Sequence, residues 1–184
     1  MAENGTLPDF LIKIGIKRLC EQRLHWAENL GPEKLQKHNQ SWVNTLKESP
    51  IALVPEKANE QHYEVPPAFF DIVLGKHLKY SCGFWKEDCN DIDKSERDML
   101  ELSSKRAQLE DNMKILELGC GWGSLTLFMA KKYPNSSITA VSNSNDQRKY
   151  IQNKCEKLNI NNVKVITCDM NDFTIDDTFD RVVS

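Results

Sequence analysis

The sequence predicts an α/β fold, in which parallel strands alternate with helices, preceded by a helical N-terminal arm. Three observations predict it. From Lys114 onward, short apolar runs alternate with helical stretches, whereas before Pro55 apolar residues recur at helical spacing. A glycine-rich turn separates the first strand from the helix that follows it. Strands joined by crossover helices form a parallel sheet with right-handed connections.

The arm consists of two predicted helices. The first begins near Pro8 and ends before Gly31, and the second runs from Pro32 to Glu48. Prolines then punctuate the chain, so we expect the arm to span residues 1–55. Its apolar stripes favour packing on the rest of the chain or on a second copy in a homo-oligomer, and a peripheral membrane surface is the alternative.

A second helical segment is predicted over residues 56–112, between the arm and the sheet. A short helix over 68–74 is expected to end at Gly75 in the left-handed conformation. A longer helix over 96–109 is expected to follow, with Ser95 as its N-terminal cap.

Residues 113–184 carry the predicted sheet. The strands are expected at 114–118, 137–141, 163–167 and 181–184, with helices at 124–132 and 145–158.

Composition excludes several classes of function. The chain has 24 basic and 27 acidic residues, for a net charge of -3, so we do not expect an extended surface that binds nucleic acid. No apolar run approaches the roughly 18 residues of a membrane span, so we expect no transmembrane segment. Six scattered cysteines without a secretory signal predict reduced thiols and a cytoplasmic location. The spacing of His62, His77, Cys82 and Cys89 matches no zinc pattern, so we predict no metal site.

The most informative segment is 117–123, which reads Glu-Leu-Gly-Cys-Gly-Trp-Gly. Gly119 and Gly121 allow a tight turn and let a ligand approach the backbone, while the start of the next helix offers free amides. With a strand before it and a helix after it, this turn predicts a nucleotide-like ligand.

Two nucleotide cofactors compete for this turn. A dinucleotide site expects G-x-G-x-x-G and an acidic residue about 20 positions on, but this chain has G-x-G-x-G and follows its second strand with Ser142-Asn143-Ser144. NAD is therefore disfavoured, although the nearby Asp146 keeps that alternative open. Glu117 suits a ligand with an ammonium end, which favours S-adenosylmethionine.

Several spaced motifs, taken in order, resemble one enzyme family. They comprise Gln61-His62-Tyr63-Glu64-Val65-Pro66, Phe69-Phe70 through Leu74-Gly75-Lys76, Tyr80-Ser81-Cys82-Gly83, the glycine turn, Ser144 to Gln147, and Phe179-Asp180-Arg181-Val182-Val183-Ser184. The chain from about Asn59 to Ser184 resembles the S-adenosylmethionine-dependent methyltransferases of the cyclopropane-fatty-acid-synthase and coclaurine N-methyltransferase group. The resemblance implies a class I, Rossmann-like methyltransferase sheet.

The resemblance also implies the roles of individual residues toward S-adenosylmethionine. Tyr80 and Ser81 would close over its methionine end. The turn would be formed by Glu117, Gly119, Gly121 and Gly123, the ribose side by Ser142, Asn143, Ser144 and Gln147, and the adenine side by Asp169, Met170 and Asn171.

In this family the sheet has seven strands in the order 3-2-1-4-5-7-6, of which the sequence supplies the first four. We therefore expect a C-terminally truncated sheet whose acceptor-side residues lie beyond Ser184, and no catalytic residue is assigned. The implied reaction is methyl transfer to a small-molecule amine or to a lipid, with the Gln-His-Tyr-Glu-Val-Pro motif closer to the N-methyltransferases. The alternative is a catalytically inactive module that binds the cofactor or a partner.

Overall fold

The computed structural model describes residues 6–51 and 67–184. The chain divides into two compact units, Met1–Ile51 and Ala52–Ser184. The predicted boundary near Pro55 and the Gln61 to Pro66 motif lie outside the described residues.

The first unit contains one helical element, α1 (Asp9–Glu48), which is interrupted at Gly31. Gly31 has φ 66° and ψ 165°, a conformation outside the helical region that glycine tolerates, and Pro32 follows it without an amide hydrogen to donate. The rings of Trp26 and His38 meet edge to face at 5.2 Å, so the helical stretches on either side of the break contact each other. The two predicted helices of the arm are thus confirmed.

The second unit begins with two helices, α2 (Pro67–Val73) and α3 (Ile92–Arg106). The predicted cap of α3 was wrong. Asp91 caps the helix by accepting a hydrogen bond from the Asp93 amide, and Ser95 lies one turn inside it, fully buried. The helix begins earlier than predicted because the aspartate carboxylate, rather than the serine hydroxyl, satisfies the first free amide.

Gly75 also differs from its prediction. It follows α2 but does not adopt the left-handed conformation; the positive φ in this loop, 49°, belongs to Leu78. A Cβ on Gly75 would lie 2.6 Å from the Glu96 carboxylate, so close packing, rather than backbone conformation, requires glycine at this position.

Strands and helices then alternate as predicted. The remaining elements are β1 (Lys114–Leu118), α4 (Ser124–Lys132), β2 (Ser137–Ser142), α5 (Asn145–Lys157), β3 (Val163–Thr167) and β4 (Arg181–Val183). The four strands are parallel and lie in the order β3-β2-β1-β4. This arrangement confirms the predicted parallel sheet, and its order agrees with the first four strands of the methyltransferase sheet.

The core is built on β1 and β2. Ile115 and Ile138 are completely buried and pack with Met129 of α4. A second cluster joins Ala140 of β2 to Ile151 of α5. Because both central strands are held by helices, the turns at their carboxyl ends are fixed in position.

Within the two described ranges, no helix combines the length and the hydropathy that a membrane span requires.

Candidate functional site

A cavity of about 230 Å³ lies where β1 turns into α4. The amides of Gly119 and Cys120 both donate to the carbonyl of Val141, at 3.0 and 2.9 Å, which joins this turn to the end of β2. Six of the thirteen predicted cofactor residues line the cavity: Tyr80, Ser81, Glu117, Gly119, Gly121 and Gln147. The turn and the loop before α3 therefore line the same cavity.

Two glycines of the turn leave space for a ligand. Gly119 and Gly121 have φ of 75° and 53°, and a Cβ at either position would meet nothing within 4 Å. They therefore satisfy a left-handed backbone and also keep the cavity free of side chains.

Gly123 serves a different purpose. It is the N-cap of α4 in the left-handed conformation, and a Cβ there would lie 2.6 Å from Cγ1 of Ile151. Gly123 does not line the cavity; it allows α4 to pack closely against α5.

Glu117 is the acidic group of the cavity and is only 4% exposed. The Thr126 hydroxyl donates to its Oε2 at 2.5 Å. Burial raises the pKa of Glu117 to about 7, against which the Thr126 hydrogen bond acts only in part. A buried carboxyl group of this pKa favours a cationic partner, because a nearby positive charge offsets the cost of ionising it.

At the end of β2, three predicted residues bind one another. The Ser142 hydroxyl donates to Oε1 of Gln147 at 2.6 Å, and the Ser144 side chain accepts from the Gln147 amide as the N-cap of α5. Ser142 and Ser144 therefore build the local structure, while Gln147 faces the cavity. Within the described part of the chain, Nε2 of Gln147 is buried and has no hydrogen-bond partner. This amide is a donor available to a ligand oxygen.

The predicted adenine-side residues stand beside this cluster without lining the cavity. The Cys168 amide donates to the carbonyl of Ser142 at 2.9 Å, which places the segment after β3 next to the end of β2. There the Asn171 amide donates to Oδ1 of Asp169, forming a turn that includes Met170. Asn143 is half-buried and also lies outside the cavity lining.

Tyr80 and Ser81 reach the cavity on the loop that precedes α3. Tyr80 is about half exposed and packs edge to face on Phe70 at 5.2 Å. The Lys79 ammonium donates to the Ser81 hydroxyl at 2.5 Å. Both residues therefore stand at the open side of the cavity, next to a lysine that the sequence analysis missed.

The position of this loop depends on Glu96, which the sequence analysis also missed. Its buried carboxylate accepts from the amides of Gly75 and His77 at 2.9 Å and from that of Lys79 at 3.3 Å. In the sequence Glu96 is one of several charged residues on a helix, so no local pattern marks it.

Among the described residues, no group of three His, Cys, Asp or Glu side chains is placed to hold a metal ion. Cys82 is exposed and Cys89 is buried, and neither lines the cavity. Burial lowers the pKa of His77, which favours the neutral imidazole. His62 lies outside the described residues.

Comparison with known proteins decides the family. The family model described as mycolic acid cyclopropane synthetase matches residues 54–184. The chain belongs to this family. The matched region includes both the glycine turn and the loop that carries Tyr80 and Ser81.

Two curated relatives show how far the similarity extends. The (S)-coclaurine N-methyltransferase of Thalictrum flavum subsp. glaucum is 39% identical over 181 residues, which cover 98% of this chain and 50% of the relative. The cyclopropane-fatty-acyl-phospholipid synthase of Escherichia coli (strain K12) is 34% identical over 125 residues, which cover 68% of this chain and 31% of the relative. The chain thus spans about half the length of the N-methyltransferase.

A solved structure extends this similarity to three dimensions. A coclaurine N-methyltransferase bound to N-methylheliamine and SAH superposes with a TM-score of 0.84 at 38% identity, over 97% of this chain and 51% of that one. The fold is therefore that of a class I methyltransferase sheet together with a helical arm.

Proposed function

We propose that the chain binds S-adenosylmethionine in the cavity at the 119–121 turn and forms the cofactor-binding part of an amine N-methyltransferase. The observation that carries the proposal is the position of Glu117. Its carboxyl group is buried at the cavity with a pKa raised to about 7, beside two glycines that leave the cavity open. An ammonium group is the ligand that this arrangement favours.

The other end of the cavity suits the sugar of the cofactor. The buried Nε2 of Gln147 is a donor without a partner among the described residues, and a ribose hydroxyl oxygen can accept from it. Ser142 and Ser144 hold Gln147 in this position through the hydrogen bonds at the end of β2. Asp169, Met170 and Asn171 would approach the base from the end of β3, next to this cluster, and Asn143 would complete the ribose side.

When bound, S-adenosylmethionine supplies a methyl group on a positively charged sulfur. The chain contributes binding and orientation. Glu117 holds the ammonium end, Gly119 and Gly121 admit the cofactor to the backbone, and Tyr80 with Ser81 covers the open side. Fixing one reactant in this way supplies much of the rate of a displacement reaction.

The similarity to the N-methyltransferases favours an amine as the methyl acceptor. It extends over 98% of this chain, whereas the similarity to the cyclopropane synthase covers 68%. The helical arm is therefore shared with the relatives named for methylating nitrogen. The contact of this arm with a membrane surface or a second subunit, and the cytoplasmic location, stay predictions.

Isothermal titration of the 184-residue chain with S-adenosylmethionine, S-adenosylhomocysteine and NADH tests the cofactor. We expect the first two to bind and NADH not to bind. Binding of NADH alone, or no binding to a folded sample, would contradict the proposal.

Transfer of a labelled methyl group tests the acceptor. A longer form of the protein that contains this chain is incubated with labelled cofactor and one of two acceptors. The first acceptor is a secondary or tertiary benzylic amine, and the second is an unsaturated phospholipid. We expect label in the amine. Label in the lipid alone would contradict the assignment of the acceptor while leaving the cofactor assignment intact, and binding without transfer to either would favour the inactive module.

A further inference from the structure

A second and larger cavity, of about 640 Å³, lies outside the cofactor cavity. Its walls come from α3, α4, α5 and the loop between α2 and α3. Trp122 and Ser124, at the start of α4, border both cavities. The two cavities are therefore neighbours that differ in most of their lining.

The polar part of this lining is strongly basic. It contains five lysines and one acid, Glu101. The acid forms an ion pair with Lys132, and Lys76 pairs with Asp93 at 2.7 Å. The three other lysines, which form no ion pair with any described residue, are Lys131, Lys154 and Lys157. Their charges make the cavity attractive to an anion.

Among the donors that border the same cavity, two on the turn that leads into α4 are buried and have no partner among the described residues. They are Nε1 of Trp122, a side chain only 3% exposed, and the hydroxyl group of Ser124. A buried donor without an acceptor is unfavourable, so a ligand that brings acceptor oxygens would stabilise both groups.

The remaining walls are apolar. Leu127, Phe128 and Leu158 line the cavity, and the rings of Trp122 and Tyr150 meet edge to face at 5.4 Å. Such walls favour a ligand with a hydrocarbon or aromatic part over a bare inorganic ion.

We propose that this cavity is a second ligand site, which binds an anion joined to an apolar group, such as an alkyl phosphate or carboxylate. Its chemistry is the opposite of that of the cofactor cavity, where a buried acid favours a cation. The lysines receive the anion, Trp122 and Ser124 offer the donors, and the leucine and aromatic side chains enclose the apolar group.

Calorimetric titration of the full 184-residue chain with decyl phosphate, kept below its micelle concentration, tests the proposal. We expect saturable binding of one molecule, at least tenfold tighter than that of either decanol or inorganic phosphate. Equal affinity for decyl phosphate and decanol would overturn the proposal. Binding only to phosphatidylglycerol vesicles would also overturn it, since it would indicate a membrane surface and not an enclosed site.

Two variants locate the binding. Lys154→Met combined with Lys157→Met removes two charges from the lining but keeps most of the length of the side chains, and we expect at least tenfold weaker binding of decyl phosphate. Lys149→Met is the matched control on the same helix, since Lys149 pairs with Asp146 at 3.6 Å outside the cavity. An equal loss in the control would overturn the assignment. Titration with S-adenosylmethionine in parallel separates failure at this site from failure of the proposed cofactor site.

Discussion

The carboxylate of Glu96 occupies the place that a side chain on Gly75 would need. Its Oε2 lies 2.6 Å from the ideal Cβ position of Gly75, while its Oε1 accepts from the Gly75 amide at 2.9 Å. The same carboxylate holds the amides of His77 and Lys79, and Tyr80 follows directly. A contact between two residues 21 positions apart therefore fixes the loop that carries part of the cofactor cavity.

Gly75→Ala should destabilise the protein by about 1–3 kcal/mol, because the added methyl group forces the buried Glu96 carboxylate away from its hydrogen bonds. Urea unfolding measures the change. Gly15→Ala is the control: Gly15 lies in α1 with nothing within 4 Å of its Cβ position, so alanine there should be neutral or slightly stabilising. Equal stability of Gly75→Ala and the native sequence would contradict the packing argument.

Glu117 should make the protein less stable as the pH rises from about 4.5 to 7. The pKa of Glu117 is about 7 in the folded chain and near 4.5 when exposed, so over this range the unfolded chain loses the proton first. Below this range both forms are protonated and the group has no effect. Above it, the difference amounts to about 3 kcal/mol in favour of the unfolded chain.

Glu117→Gln removes this dependence. We therefore expect the variant to gain stability over the native sequence at pH 8 but to match it much more closely at pH 4, as measured by urea unfolding at both values. In the same variant, binding of S-adenosylmethionine should weaken at least tenfold, because the carboxylate that receives the ammonium is gone. A stability difference that stays constant with pH would show that Glu117 is not the titrating group.

Gly121→Val should abolish cofactor binding. The φ of 53° is strained for a β-branched residue, and the side chain would project into the space where a ligand must approach the backbone. Calorimetry with S-adenosylmethionine measures the loss, and circular dichroism checks the fold. Cys89→Ala, a buried position away from the cavity lining, should bind normally. If Gly121→Val bound as well as the native chain, the turn could not be the cofactor site.

Gly123→Ala should destabilise the packing of α4 on α5 because of its contact with Ile151. Ile151→Ala removes the obstructing atoms at the cost of a core cavity. A double-mutant cycle of urea unfolding measures the coupling between the two positions. We expect the double variant to lose less free energy of unfolding than the two single variants lose together, by about 1 kcal/mol or more. Simple additivity would mean that the strain of the left-handed backbone, and not the contact with Ile151, accounts for the effect.

The strands and helices from Lys114 onward were predictable because each depends on local patterning. Buried parallel strands appear as short apolar runs, and a glycine-rich turn after the first of them marks a ligand site in this class of fold. The break in α1 was equally local, since Gly31-Pro32 interrupts a helix in any environment. The prediction of Ser95 as a cap was wrong because Asp91, four residues earlier, is an equally good cap by its chemistry.

Among the predicted cofactor residues, some could be placed from the sequence and others only from the folded structure. The positions of Glu117, Gly119 and Gly121 follow from their place in the chain, directly after a buried strand. Whether Ser142, Ser144 and Gln147 face a ligand or each other depends on how the end of β2 meets α5. In the folded chain Gln147 lines the cavity, whereas the side chains of Ser142 and Ser144 form hydrogen bonds with Gln147.

The sequence alone therefore predicts the strands, the glycine turn and the family, because these depend on residues within a few positions of one another. Tertiary structure alone places Glu96 against the loop that carries Tyr80, gives Gly75 and Gly123 their packing roles, and forms the lysine-lined cavity at α4 and α5. Each of these depends on contacts between residues far apart in sequence, and such contacts exist only once the helices are packed against the sheet.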